Sequence, residues 1–280
     1  MTAQPAALAG TAEIPVRRMD FEFDDSIPTY WFGNDPVRTL LLTALSATFP
    51  EGERMFMRAV RHFEGGVKDP ELRRQVKAFI GQEAHHGKEH QAFNAMMDRK
   101  GLPVLAIEAF VRNTIAREEE WLGPTRMLAK TCALEHFTAM FAETLLEHPE
   151  LIDDVDDRLK SLWLWHAVEE SEHKSVAFDV YQDQVGSYWI RASEMAFTSV
   201  LFSFFTTVHT VQLLSAARDK PARSGSRLGG LWKHRGIFAK LGRRYLDYYR
   251  PDFHPSQEDS SEWRRKGLER LGMQLASALG

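Results

Sequence analysis

The chain has 280 residues, 44% of them apolar and 26% charged, which is enough to bury a core and excludes a chain disordered by composition. A formal net charge of only −4 gives no reason for a nucleic-acid partner, and a lone cysteine, Cys132, excludes an internal disulfide and a cysteine-built zinc site. The composition points to a reducing cytoplasm, and residues 1–18 lack the basic start and long apolar run of a secretory signal.

The predicted elements begin with an irregular arm over residues 1–33, extended in places between Glu13 and Phe32. Asp35-Pro36 then opens a helix, because proline suits the first helical position. That helix runs to about His62, interrupted by Pro50 just before Glu53, and stops at Gly65-Gly66. Asp69-Pro70 repeats the start signal for a helix to about Lys100, with Gly101 as its stop. Two further helices, over 104–121 and 125–147, are separated by Gly123-Pro124, and the second ends at His148-Pro149. One more is expected from 154 to 184, closed by Gly186. No stretch alternates apolar and polar residues long enough for a sheet, so the fold is expected to be all-α. The division is an arm over 1–33, a helical bundle over 34–217, and a basic linker with C-terminal helices over 218–280.

Met195–Ala217 holds 23 residues without a Lys, Arg, Asp or Glu, long enough to span a bilayer. Nine of the 23 are Ser, Thr, Gln or His, however, and Ser199, Ser203, Thr206 and Thr210 form a stripe at helical spacing. A buried bundle helix is the expected state. Arg218–Arg250 carries ten Lys or Arg against two Asp. It reads as a solvated linker and helix in preference to a contact with anionic lipid or an acidic partner. Ser261–Leu279 is expected to form the last helix.

One pattern is written twice: Glu53 followed by Glu83-x-x-His86, and Glu135 followed by Glu170-x-x-His173, with Glu-to-Glu gaps of 30 and 35 residues. Each gap is long enough to end a helix, turn, and lay down another. Side chains at i and i+3 share a helix face, so four helices would aim ligands inward. This is the ligand arrangement of di-iron and di-manganese carboxylate bundles. All four glutamates lie among apolar neighbours, where a bare carboxylate is costly to bury. No Lys or Arg shares those faces, whereas two divalent cations would neutralise four carboxylates. At about 100° per residue, Glu51 and Glu172 point away from the ligand face and Glu169 lies at its flank, as surface groups or supports of the ligands. His85 also lies well round from Glu83. His166 falls on the face of Glu170 and His173, as a candidate third imidazole ligand. His90 falls on the face of Glu83 and His86, more as a support than as a ligand. His136 adjoins Glu135 but points elsewhere, and Cys132, one turn before Glu135, reads as core filler or cavity lining.

The strings FPEGERMF, FIGQEAHHGKEH, ALEHFTA and WHAVEESEHKSVAFDVY, with IPTYWFGNDP in the arm, resemble a bacterial family of predicted metal-dependent hydrolases. The resemblance covers roughly residues 14–215. It implies a ferritin-like four-helix bundle, here with additional helices and the irregular arm, and a hydrolytic activity. Separately, His166-x-x-x-Glu170-x-x-His173 is similar to the last ligand helix of di-iron arylamine N-oxygenases.

A mixed carboxylate and imidazole set suits iron or manganese. The expectation is therefore a dinuclear non-heme metal enzyme with two iron or manganese ions. It is expected to be an oxygenase or oxidase using O2 and a redox partner on a small or lipid-like organic substrate. The alternatives are a metal-dependent hydrolase with an activated water, as the resemblance implies, and a non-catalytic ferritin-like metal-binding protein. Small residues around Glu135 (Ala133, Thr138, Ala139 and Ala142) are expected to leave room beside the metals. The Ser/Thr stripe, with His209, is a candidate cavity wall. Oligomeric state is left open.

Overall fold

A computed structural model describes residues 14–218 and 235–272. Its helices are α1 (Pro36–Ser46), α2 (Phe49–Glu64), α3 (Pro70–Arg99), α4 (Val104–Glu147), α5 (Asp157–His173), α6 (Val176–Gln184), α7 (Tyr188–Ala216), α8 (Arg235–Asp247) and α9 (Ser261–Arg270). Among the described residues there is no β-strand. A single antiparallel bridge pairs Phe32 of the arm with Val155. The fold is all-helical, as expected.

The helix starts follow from local chemistry. The Asp35 carboxylate accepts from the Val37 and Arg38 amides at 2.8 and 3.1 Å, and Asp69 accepts from the Glu71 amide at 2.9 Å. In both cases the next residue is a proline, whose missing N–H costs nothing there. Pro50 has the opposite effect on the preceding helix. It cannot donate back to Ser46, so the chain breaks at Ala47–Thr48 and restarts as α2 with Pro50 in its first turn. In α4, Gly123 takes φ +71°, a conformation open to glycine, and Pro124 follows it. The two expected helices are therefore the arms of one kinked element.

The expected helix over 154–184 is two helices. α5 ends at His173, Lys174 and Ser175 form a turn, and α6 begins at Val176. At that turn the Lys174 ammonium is held by the Glu143 carboxylate at 2.5 Å and the Glu258 carbonyl at 2.7 Å. Tertiary partners make these contacts, which a reading of helix periodicity does not register.

α2 packs along α3, and α4 packs along α2, α5 and α7. The arm packs on this assembly as irregular chain with turns around Ser26 and Tyr30. Trp31 lies stacked on Trp163 and edge-on to Phe93, and Phe21 stands edge-on to Trp165. A second core joins Met55, Val60, Val76, Phe79, Leu128 and Tyr181 on the other side of the ligand level.

α7 departs from the expected buried helix. It starts at Tyr188, earlier than expected, and lies on the outside of α4 and α1, burying Thr198, His209, Thr210 and Leu213. Phe197, Val200, Phe204, Val208 and Val211 remain exposed on its outer face. Its hydroxyls impose no burial because they bond their own helix: Ser199, Thr207 and Thr210 donate to the carbonyls four residues back.

The C-terminal helices pack on the bundle, α8 against α4 and α9 against α4 and α5. Arg191 of α7 is fully buried, donates to the carbonyls of Tyr248 and Arg250, and lies over the rings of Phe178 and Tyr248. Two cations of the basic segment are paired within the chain, Lys240 with Glu147 at 2.6 Å and Arg244 with Glu258 at 2.6 Å. The expected last helix over Ser261–Leu279 ends at Arg270, with Gly272 at φ +66°; its remaining residues 273–279, and residues 219–234 of the basic segment, lie outside the described residues.

Candidate metal centre

α2, α3, α4 and α5 bring their expected ligands to one level. Glu53 stands on α2, Glu83 and His86 on α3, Glu135 on α4, and His166, Glu170 and His173 on α5, all seven buried. Gly87 permits the close approach of α2 and α3. A Cβ at that position would lie 3.2 Å from Glu53 Oε2 and 3.7 Å from Pro50 Cα.

Three sets have potential ligand atoms within 4.8 Å of one another: Glu53, His86 and His166; Glu83, His86 and Glu170; Glu83, Glu135 and His173. Glu83 and His86 each belong to two sets, so the sets form one continuous cluster with two ends. At one end His166 Nε2 lies 2.9 Å from Glu170 Oε1 and 3.8 Å from Glu53 Oε1. At the other, His173 Nε2 lies 3.1 Å from Glu83 Oε1 and 3.5 Å from Glu135 Oε2. His86 Nδ1 sits between them, 3.4 Å from Glu170 Oε1.

The electrostatics of this cluster call for cations. Both carboxylate oxygens of Glu53, Glu83 and Glu135, together with Glu170 Oε2, His86 Nδ1 and His173 Nε2, are buried and accept or donate no hydrogen bond. Among the described residues no Lys or Arg pairs with Glu53, Glu83, Glu135 or Glu170; their ionic partners are His86, His166 and His173, three imidazoles for four carboxylates. Burial first, and then the charge of Glu83, pushes the carboxyls of Glu53 and Glu135 well above their usual range. Burial opposes charge on His86 and His173, but neighbouring carboxylates outweigh it and raise both imidazoles well above theirs. Glu53, Glu83 and Glu135 therefore tend to hold on to protons, whereas the imidazoles of His173, His166 and His86 outweigh burial at Glu170 and keep its carboxyl well below the usual range. Divalent cations would take the place of those protons, and the orphaned oxygens and nitrogens are of the kind that bind them.

The far nitrogen of each cluster imidazole is held by a named partner. His86 Nε2 lies 3.1 Å from Glu169 Oε2, and Glu169 is paired in turn with Arg17 at 3.1 Å. His173 Nδ1 lies 2.8 Å from Gln82 Oε1, while the Gln82 amide donates to Glu172 and to the Pro15 carbonyl, each at 2.9 Å. His166 Nδ1 lies 2.6 Å from His90 Nε2, and His90 Nδ1 lies 2.8 Å from Ser46 Oγ. Ser46 donates to Asn94 Oδ1 at 2.8 Å. Its oxygen therefore accepts from His90 Nδ1–H and His90 Nε2 accepts from His166 Nδ1–H, an order that would leave the His166 Nε2 lone pair to a cation in place of its 2.9 Å contact with Glu170 Oε1. Burial keeps His90 well below its usual pKa, and burial with the charge of His86 lowers His166 to about 4, so both rings are neutral.

The remaining sequence candidates separate from the cluster. Glu51 pairs with Arg54 at 2.8 Å, His136 lies 3.1 Å from the Arg244 carbonyl, and Cys132 donates to the Ala177 carbonyl at 3.3 Å inside the core. Arg17, Ser46, Gln82 and Asn94 went unnoticed in the sequence. Asn94, four residues after His90, was accessible to helical spacing, whereas Arg17 reaches Glu169 from an irregular arm.

A cavity of about 560 Å³ adjoins the cluster at Glu53, His166 and Glu170. Of the small residues near Glu135, Thr138 and Ala142 line it and Ala133 and Ala139 do not. Of the Ser/Thr stripe, only Thr206 does, accompanied by His209.

All-helical proteins that gather buried carboxylates and imidazoles at one level are metal proteins as a class. The chain belongs to the family of predicted metal-dependent hydrolases, which it matches over residues 15–259. No curated protein and no solved structure gives a match. Membership of this family overturns the expectation of an oxygenase or oxidase. The same carboxylate and imidazole ligands suit redox chemistry and the activation of water alike, so the ligand pattern does not choose between them.

Proposed function

We propose that the protein is a hydrolase with a dinuclear metal centre, in which Glu53, Glu83, His86, Glu135, His166, Glu170 and His173 are the ligands and His90 orients His166. The observation that carries this reading is the set of overlapping ligand groups sharing Glu83 and His86, lined by buried oxygens and nitrogens without hydrogen bonds. Family membership supports hydrolysis as the reaction. The mixed donor set suits iron or manganese. Four ligand-bearing helices with α2 beside α3 and α4 beside α5 also support a ferritin-like bundle as the architecture.

When bound, divalent cations supply Lewis acidity toward a carbonyl or phosphoryl oxygen and the means to activate water. The chain contributes position and protection. Glu169, Gln82 and His90 fix the three imidazole rings, and Phe49 packs edge-on against His90 and His166 at 4.8 and 5.1 Å. The opening toward the substrate lies on the Glu53 and Glu170 side, where the cavity meets the cluster. In the net reaction the oxygen of water joins the acyl carbon or phosphorus, the bond to the leaving atom breaks, and that atom takes up a proton.

Full-length protein loaded with Mn(II) under anaerobic conditions should hydrolyse activated carboxylic or phosphate esters, and Glu83→Ala should abolish the metal-dependent part. Absence of metal-dependent turnover of ester, amide and phosphoester probes alike would reject the proposal.

A further inference from the structure

The cavity beside the cluster is nearly free of unpaired charge. Apart from the cluster residues and His209, its charged lining residues are Lys130 and Glu118, and these two pair with each other. The rest of the wall is mostly apolar and comes from several helices, with Phe56 of α2, Phe137 of α4 and Phe202 of α7 among its aromatic rings. Leu41, Phe110 and Phe141 line it and are also exposed, so it opens to the surface through an apolar mouth. Its volume of about 560 Å³ falls within the roughly 300–1,000 Å³ of small-molecule sites.

The wall has no unpaired Lys or Arg for a distal phosphate or carboxylate. Away from the cluster, Thr198 Oγ1 and the two His209 ring nitrogens are among its few buried polar atoms without hydrogen bonds, too few to line a sugar or peptide. Its most polar end is the cluster. We infer that the substrate is an amphiphile with one uncharged alkyl chain, seated with the chain in this cavity and the hydrolysable head at Glu53, His166 and Glu170. The assignment rests on the metal-hydrolase reading for the chemistry of the head, but the cavity alone argues the chain. Burying apolar chain in a largely preformed site adds roughly 0.8 kcal/mol per methylene, which is about a fourfold gain in affinity.

The test uses n-alkyl hydroxamates, whose head binds metals and whose chain can be lengthened one carbon at a time. Affinity for full-length, Mn(II)-loaded protein is measured by calorimetry from acetohydroxamate upward. The expected result is tightening of roughly fourfold per methylene until the cavity is full. Thr114→Trp on α4 and Thr206→Trp on α7 fill the cavity from different walls at half-buried positions. Each should flatten the series while acetohydroxamate binding, metal content and helical circular dichroism stay as in the unaltered protein. Affinity independent of chain length in the unaltered protein overturns the inference, even if short esters are hydrolysed. Chain-dependent binding without hydrolysis of any probe upholds the cavity assignment and rejects the hydrolase reading instead.

Discussion

At the scale of single residues, Glu83 holds a different place from Glu53. It belongs to two of the three ligand groups, and Glu53 to one at the end of the cluster. Glu83→Ala is expected to reduce bound metal from two ions per chain to fewer than one, and Glu53→Ala to leave about one, by elemental analysis after gel filtration. Equal losses would argue against a shared role for Glu83. His90→Phe removes no ligand but frees the far nitrogen of His166, so metal affinity should fall about 10- to 100-fold in a chelator competition. The six core ligands could be read from spacing because each lies one helical turn or one helix pair from its neighbour. Spacing also ranked His90 as more a support than a ligand, but it could not show which group His90 holds. Both lie on ligand faces, and the order of the hydrogen bonds from Asn94 through Ser46 exists only once α1, α3 and α5 are packed.

At the scale of elements, the arm is part of the site. Arg17 pairs with Glu169, which is fully buried and steadies His86, and it also donates to both oxygens of Glu172 at 2.7 and 2.8 Å. Arg17→Ala leaves Glu169 buried with the His86 imidazole as its remaining partner and removes both hydrogen bonds to Glu172. A loss of about 2 kcal/mol is expected in urea unfolding of the metal-free protein, because a hydrogen bond to a charged group contributes about 1.5–3 kcal/mol. Arg17→Lys should recover only part of it, since an ammonium has no planar fork to bind both oxygens of Glu172 while reaching Glu169. A loss below 1 kcal/mol for Arg17→Ala would place the arm outside the supporting structure. Proline and glycine signals marked the breaks at Pro50 and at Gly123-Pro124 in the sequence. The turn at Lys174 carries no such signal, and the partners of that lysine, Glu143 and Glu258, are remote in the chain.

At the scale of the whole molecule, the cluster ties α2, α3, α4 and α5 together, so metal removal should loosen the fold as a unit. A ligand at about a thousand times its Kd stabilises by about 4 kcal/mol, and for a chain of this size each kcal/mol shifts Tm by about 2–4 °C. Chelation should therefore lower Tm by about 10 °C, with recovery on adding back Mn(II). A Tm indifferent to chelator would mean that the four carboxylates are accommodated without cations. The C-terminal helices answer to a different anchor, Arg191, whose guanidinium binds the carbonyls of Tyr248 and Arg250.

The sequence by itself determined the helical class, the proline-marked helix starts at Pro36 and Pro70 and the repeated glutamate and Glu-x-x-His pattern, because capping, proline chemistry and helical spacing are local. It also limited the cofactor to metal, since four carboxylates on apolar faces have few other means of being buried. Only the tertiary structure decided that the group His90 holds is His166, that Arg17 and Gln82 steady the cluster, and that α7 keeps one apolar face in solvent. Those outcomes depend on which faces meet across long separations in the chain, and no local pattern encodes that choice.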